Sequence, residues 1–169
     1  MAIHDCPHTF AELASEVLPR YMAALRQKLG APIPAGEFCQ PRRGYKTLLR
    51  TFSNGRDFPG CYVFVEQGRP RYVGISNTLL FRLRSHLTAC NHHNSSLVYA
   101  IANRETPLTQ YRRTTRDERY TTPFMAARDR LRACHVAYIH IDNPLVLYIF
   151  EAYAAMELDT YEWNSFVTH

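Results

Sequence analysis

Gly60-Cys61-Tyr62-Val63-Phe64-Val65-Glu66-Gln67-Gly68-Arg69-Pro70-Arg71-Tyr72-Val73-Gly74-Ile75 is the stretch whose reading decides the fold. Cys61 to Val65 is a β-branched and aromatic run, Gln67-Gly68 supplies a turn, and extended character resumes from Pro70 to Ile75. The pattern predicts a β-hairpin. Directly after it, Ser76 or Asn77 is placed to cap a helix from Thr78 to Leu87, whose Leu79, Leu80, Leu83 and Leu87 form an apolar stripe.

Outward toward the C-terminus, Leu97, Val98, Ala100 and Ile101 predict a helix over 94–103. The polar stretch 105–120, crowded with Arg112, Arg113, Arg116 and Arg119, reads as a loop. Pro123 is expected to open a helix to Arg132, and His135 to Ile141 alternates like a strand. Pro144 introduces a last apolar helix through Leu158. Outward toward the N-terminus, apolar spacing predicts a helix from His8 to Leu29, with a Thr9/Glu12 capping box and a kink or split at Pro19. Residues 30–60 are rich in Pro, Gly and Arg, with one short helix from Tyr45 to Phe52. The expected organisation is an N-terminal helical extension and basic linker over 1–57, then one main domain over 58–169 with an insertion at about 89–120.

The length, 169 residues with 46% hydrophobic and 12% aromatic content, allows one compact domain and excludes a disordered chain. Twenty Lys plus Arg against 15 Asp plus Glu give a net charge of +5, which suits a polyanionic partner. Arg far outnumbers Lys, and a guanidinium matches phosphate oxygens bidentately. The first ten residues, interrupted by His4, Asp5 and His8, do not read as a signal peptide, and no run is long enough to span a membrane. A cytoplasmic location is therefore expected. Five scattered cysteines read as reduced thiols, and Cys90, His92 and His93 lack the paired spacing of a structural zinc site.

The chemistry gathers around the hairpin. Paired strands bring Tyr62 and Tyr72 onto one small surface, and the next helix presents Arg82 and His86 one turn apart. Taken singly, the favoured reading of each is the ordinary one, strand tyrosines and a solvated arginine. Glu151 shifts the balance, because it is the only charged residue between Pro144 and Met156. An unpaired carboxylate in apolar surroundings costs several kcal/mol in order of magnitude, so a cation or hydrogen-bond donor is expected opposite it. Either a divalent metal or an arginine meets that need.

Gly60-Cys61-Tyr62, a nine-residue interval, Tyr72-Val73-Gly74, then Arg82 and His86 resembles the GIY-YIG nuclease module. Glu151 and Asn164 look like that family's metal-binding glutamate and C-terminal asparagine, which makes an ordered set of six positions. His93-Asn94-Ser95 and the Phe166 to His169 tail are similar to small stand-alone bacterial-type members, and the resemblance covers about residues 58–169. It implies an α/β (α+β) fold: a small central antiparallel or mixed three-stranded sheet flanked by helices. Two departures stand out. Cys61 replaces an aliphatic residue, and Ile75 stands where many members carry a lysine.

The resemblance further implies a DNA endonuclease using one Mg²⁺ or Mn²⁺ ion, with RNA or branched DNA as variant substrates. Tyr62, Tyr72, Arg82, His86 and Glu151 are its catalytic set. Glu151 would hold the metal, Arg82 a non-bridging phosphate oxygen, and Tyr62 the attacking water, with His86 as base the second assignment. Gly74 and Asn164 support the site. Arg42, Arg43, Arg84, Arg112, Arg113 and Arg116 are the expected phosphate contacts, which would position nucleic acid without reading sequence. The competing readings are a catalytically silent nucleic-acid-binding module and a protein-interaction domain.

Overall fold

The computed structural model describes residues 5–89, 95–105 and 118–166, apart from the side chains of 118–120. The expected loop arginines Arg112, Arg113 and Arg116, together with Cys90, His92, His93 and Asn94, lie outside the described residues.

The hairpin forms as the quoted stretch predicts, from β2 (Gly60–Glu66) and β3 (Arg69–Ser76). Gln67 and Gly68 have φ of 51° and 78°, the paired left-handed values of a two-residue type I′ turn. Opposite β2's other edge runs β4 (His135–His140), and β1 (Ile33–Pro34) pairs with β4. The fold is mixed α+β, with an antiparallel sheet in the order β1-β4-β2-β3. The expectation of three strands is corrected to four among the described residues. β1 is only two residues long and contains Pro34, so it carries no alternation to read, and a proline is tolerated there because the strand lies at an edge.

Both faces of the sheet are covered, which is why central β2 is an unbroken apolar run. On one face Tyr62, Phe64 and Val136 pack against α4 (Leu79–Thr88), α5 (Ser96–Glu105) and α6 (Glu118–Arg132). On the other, Cys61, Val63, Val73 and Ile139 pack against α2 (Leu18–Leu29) and α7 (Pro144–Glu157). The segment read as extension and linker is built into both layers. Leu13, Val17, Met22 and Leu25 belong to the second core, while Ala35, Phe38 and Leu48 belong to the first, the last on α3 (Tyr45–Phe52).

The N-terminal helix begins as α1 (Phe10–Glu12) with the Thr9/Glu12 capping box in place. The break expected at Pro19 is taken up as a π turn over Leu13–Val17, ending just before the proline in the first turn of α2. Pro123 does not open α6 as expected. The helix starts at Glu118 and contains Pro123, so near its N-terminus that the proline forgoes a single amide bond to residue 119. Among the described residues, no helix is long and apolar enough to cross a membrane.

Candidate active site

Strand register sets the two tyrosines diagonally: Tyr62 pairs with Gly74, and Tyr72 pairs with Phe64. Their ring centroids lie 6.1 Å apart. Gly74 makes this possible, because a Cβ there would sit 2.6 Å from the Tyr62 hydroxyl oxygen and 2.7 Å from Tyr72 Cε1. The glycine is thus the floor on which both phenol rings rest.

Helix α4 brings His86 to the same place. Its imidazole is fully buried, and Nε2 lies 2.8 Å from the hydroxyl of Tyr62, itself only 1% exposed. Among the described residues His86 Nδ1 is buried without a hydrogen-bond partner. Burial, then the nearby Arg82 charge, lowers the imidazole to about 3, so it is neutral at physiological pH. A neutral imidazole has one N–H; in one tautomer Tyr62 donates its phenolic hydrogen to a bare Nε2, and in the other Nε2–H donates to the phenol oxygen. Burial holds the Tyr62 hydroxyl well above the ordinary tyrosine range, aided by Tyr72 and opposed by the Arg82 guanidinium. Tyr72, half-buried, is raised by burial and by the Glu151 charge. Arg82, one turn before His86, is half-buried and donates to Ser96 Oγ at 3.1 Å.

Helix α7 packs chiefly along β3, the sheet edge, and places Glu151 close enough for its charge to act on both tyrosines. Phe150 and Ala154 of the same helix are buried in the second core, which fixes the carboxylate's position. Glu151 is half-buried, and burial raises its carboxyl above the ordinary range. Among the described residues no hydrogen-bond donor or basic side chain pairs with it, so the arginine expected as one possible partner is not found there. Nor do the described residues hold a cluster of three or more His, Cys, Asp or Glu side chains suited to a metal. A lone, half-buried, unpaired carboxylate nevertheless fits Mg²⁺, which is commonly bound by one or two carboxylates, with water and substrate oxygens filling its shell.

Asn164 touches the site through the backbone. Its Oδ1 accepts from Val73 N–H, and its Nδ2 donates to Val73 C=O, both at 2.8 Å. Val73 lies between Tyr72 and Gly74, so the amide side chain takes the place of a neighbouring strand on the open edge of β3. The segment bearing Asn164 is tied down by ion pairs: Arg71 bonds Glu66 and Glu162, while Arg130 bonds Glu66 and Glu105 and lies over the Trp163 ring.

The chain, compared with known proteins, matches no family model, no curated protein and no solved structure.

Sequence reasoning missed Asp57. Its carboxylate accepts from Leu80 N–H and Phe81 N–H, both at 2.9 Å, and from the Tyr45 hydroxyl at 2.6 Å. It caps α4 from a distance, in place of the expected Ser76 or Asn77, and so sets the helix that carries Arg82 and His86. Its only sequence signal is an acidic residue just ahead of Pro59, which many turns share. Of the expected phosphate contacts, Arg42 is exposed. Arg43 is paired with Glu37, and Arg84 donates to the Arg43 carbonyl at 3.0 Å. Cys61 is fully buried, and its thiol is pushed up by burial and by Glu151, which suits a packing residue and not a nucleophile.

Proposed function

We propose that this protein is a metal-dependent endonuclease of the GIY-YIG type, hydrolysing phosphodiester bonds in DNA. The observation that carries the reading is the Tyr62–His86 pair, a buried phenol 2.8 Å from a neutral imidazole nitrogen, with Arg82 and Glu151 converging on it. A structural tyrosine has no need of two charged neighbours; a proton-transfer site does.

Glu151 is the residue that would hold a Mg²⁺ or Mn²⁺ ion, whose chemistry is to neutralise charge on the phosphate and the leaving oxygen. Arg82 offers its guanidinium to a non-bridging oxygen as charge builds. Because Tyr62 rests protonated, it acts as a relay: its phenolic hydrogen passes to His86 Nε2 while its oxygen takes a hydrogen from the attacking water. Water loses one proton, His86 gains one, and Tyr62 is unchanged. Tyr72 helps to position the water. Arg42 and Arg84, with the loop arginines Arg112, Arg113 and Arg116, are the proposed phosphate contacts, Arg43 being already paired with Glu37.

Cleavage of supercoiled plasmid with Mg²⁺ or Mn²⁺ is the test, comparing wild type with Glu151→Ala and Tyr62→Phe. Folded variants are expected to lose about 10²–10⁴-fold in rate. Ile75, in place of a cationic residue, favours a second reading, a silent nucleic-acid-binding module. Wild type that binds DNA and never cuts DNA or RNA establishes that reading instead.

A further inference from the structure

Beside the site runs a cleft of about 600 Å³, between the end of β3 and the first turn of α7. Ile75, Ser76 and Asn77 line one side; Pro144, Leu145, Leu147 and Tyr148 line the other. The tyrosines of the site do not line it, and Ile75, the residue after Gly74, packs on the opposite face of the sheet from them. The cleft meets the site through α7, where Leu147 and Tyr148 lie one helical turn before Glu151.

Among the described residues no charged side chain lines the cleft, and the amides of Leu145 and Val146 in the first turn of α7 are already bonded to Asn143 Oδ1 at 3.0 Å. A phosphate therefore finds neither a cation nor a free helix N-terminus there. A planar, neutral, aromatic ligand finds what it needs. Tyr148, 74% exposed, offers a ring face on which to stack, and Ile75, Leu145 and Leu147 offer apolar walls. Ser76 Oγ accepts from Thr78 N–H at 3.0 Å, leaving its own hydrogen to donate, and the exposed Asn77 amide can both donate and accept.

We propose that this cleft receives an unpaired nucleobase next to the phosphate that is cut, so that the enzyme prefers nucleic acid with a single-stranded or extruded nucleotide there. The inference rests on the nuclease reading and deepens it by naming the substrate class. A base in a duplex is stacked on both faces and cannot enter the cleft without leaving its helix.

The test is equilibrium binding, in EDTA, of a single-stranded oligonucleotide carrying the fluorescent base 2-aminopurine, and of the matching duplex, alongside metal-dependent cleavage of both. Stacking on Tyr148 is expected to quench the 2-aminopurine. Tyr148→Ala is expected to weaken single-strand binding by roughly tenfold, and by less for duplex, with Tyr148→Phe restoring it. Asn77→Ala is expected to weaken binding by a smaller factor. A wild type that binds and cuts, with no quenching and with Tyr148→Ala equal to it on both substrates, overturns the cleft proposal and leaves the nuclease reading standing. A wild type that binds no nucleic acid at low salt overturns both.

Discussion

The two faces of the sheet are made from alternate residues of the same strands and do different work. The face toward α2 and α7 takes Cys61, Val63, Val73 and Ile139, and packs them against aliphatic residues such as Leu25 and Leu147. The face toward α4 takes Tyr62, Phe64 and Tyr72, and buries among them one histidine whose Nδ1 has no hydrogen-bond partner among the described residues. Aliphatic packing maximises stability; a buried imidazole with an orphan nitrogen lowers it. The contrast teaches that one strand, read with period two, sends aliphatic residues to one core and the polar-tipped rings that meet His86 to the other.

Removing bulk from the aliphatic face should give the largest loss of stability. Leu25→Ala, at a fully buried position, is expected to cost about 2–5 kcal/mol in urea unfolding, with the turnover of the remaining folded protein unchanged. Its counterpart on the other face is Gly74→Ala, where the new methyl displaces the Tyr62 and Tyr72 rings. There about 1–3 kcal/mol of overpacking should be joined by loss of cleavage. If Leu25→Ala lowers turnover as far as Gly74→Ala does, the division between faces does not hold.

The pH dependence sharpens the comparison at one residue. An unfolded histidine titrates near about 6.5, whereas folded His86 titrates at about 3, so the unfolded chain takes up the extra proton in between. Stability present above the unfolded value is therefore lost as the pH falls from about 6.5 toward 3, by at most ~1.4 kcal/mol per pH unit. Glu151, shifted upward, works in the opposite sense: its penalty on the folded state fades as the carboxyl takes up its proton. As the pH falls across this range, urea midpoints should fall in the wild type and fall less steeply in His86→Phe, the remaining slope belonging to carboxylates such as Glu66, which the Arg130 guanidinium holds low. An unchanged slope in the variant would show that His86 is not the group held neutral.

The smallest effect is expected at the sheet edge. Asn164→Ala removes both bonds to Val73 and should cost about 1 kcal/mol, visible as faster hydrogen exchange at the Val73 amide. An unprotected Val73 amide in the wild type would contradict the edge-strand role.

Much of this was legible in the chain. The Cys61–Val65 run and Gln67-Gly68 mark the hairpin, and the stripe of Leu79, Leu80, Leu83 and Leu87 marks the helix that follows. Such features repeat over adjacent residues, and the backbone's own period makes them visible. β1 was not legible, because two residues carry no period. Asp57 was not either, because its partners lie 12 to 24 residues away and nothing local records that they will meet it. The roles of Arg43 and Arg84, one ion-paired and the other bonded to a backbone carbonyl, belong to the same class.

By itself the sequence determined the hairpin, the apolar helix around Glu151 and the order of the polar residues, since each follows from local spacing and turn chemistry. Only the tertiary structure decided that His86 is buried and neutral against Tyr62, that Gly74 underlies both phenols, and that Glu151 lies near enough for its charge to act on Tyr72, without a partner among the described residues. Burial and charge proximity are sums over neighbours distant in the chain, and they exist only once the layers have closed.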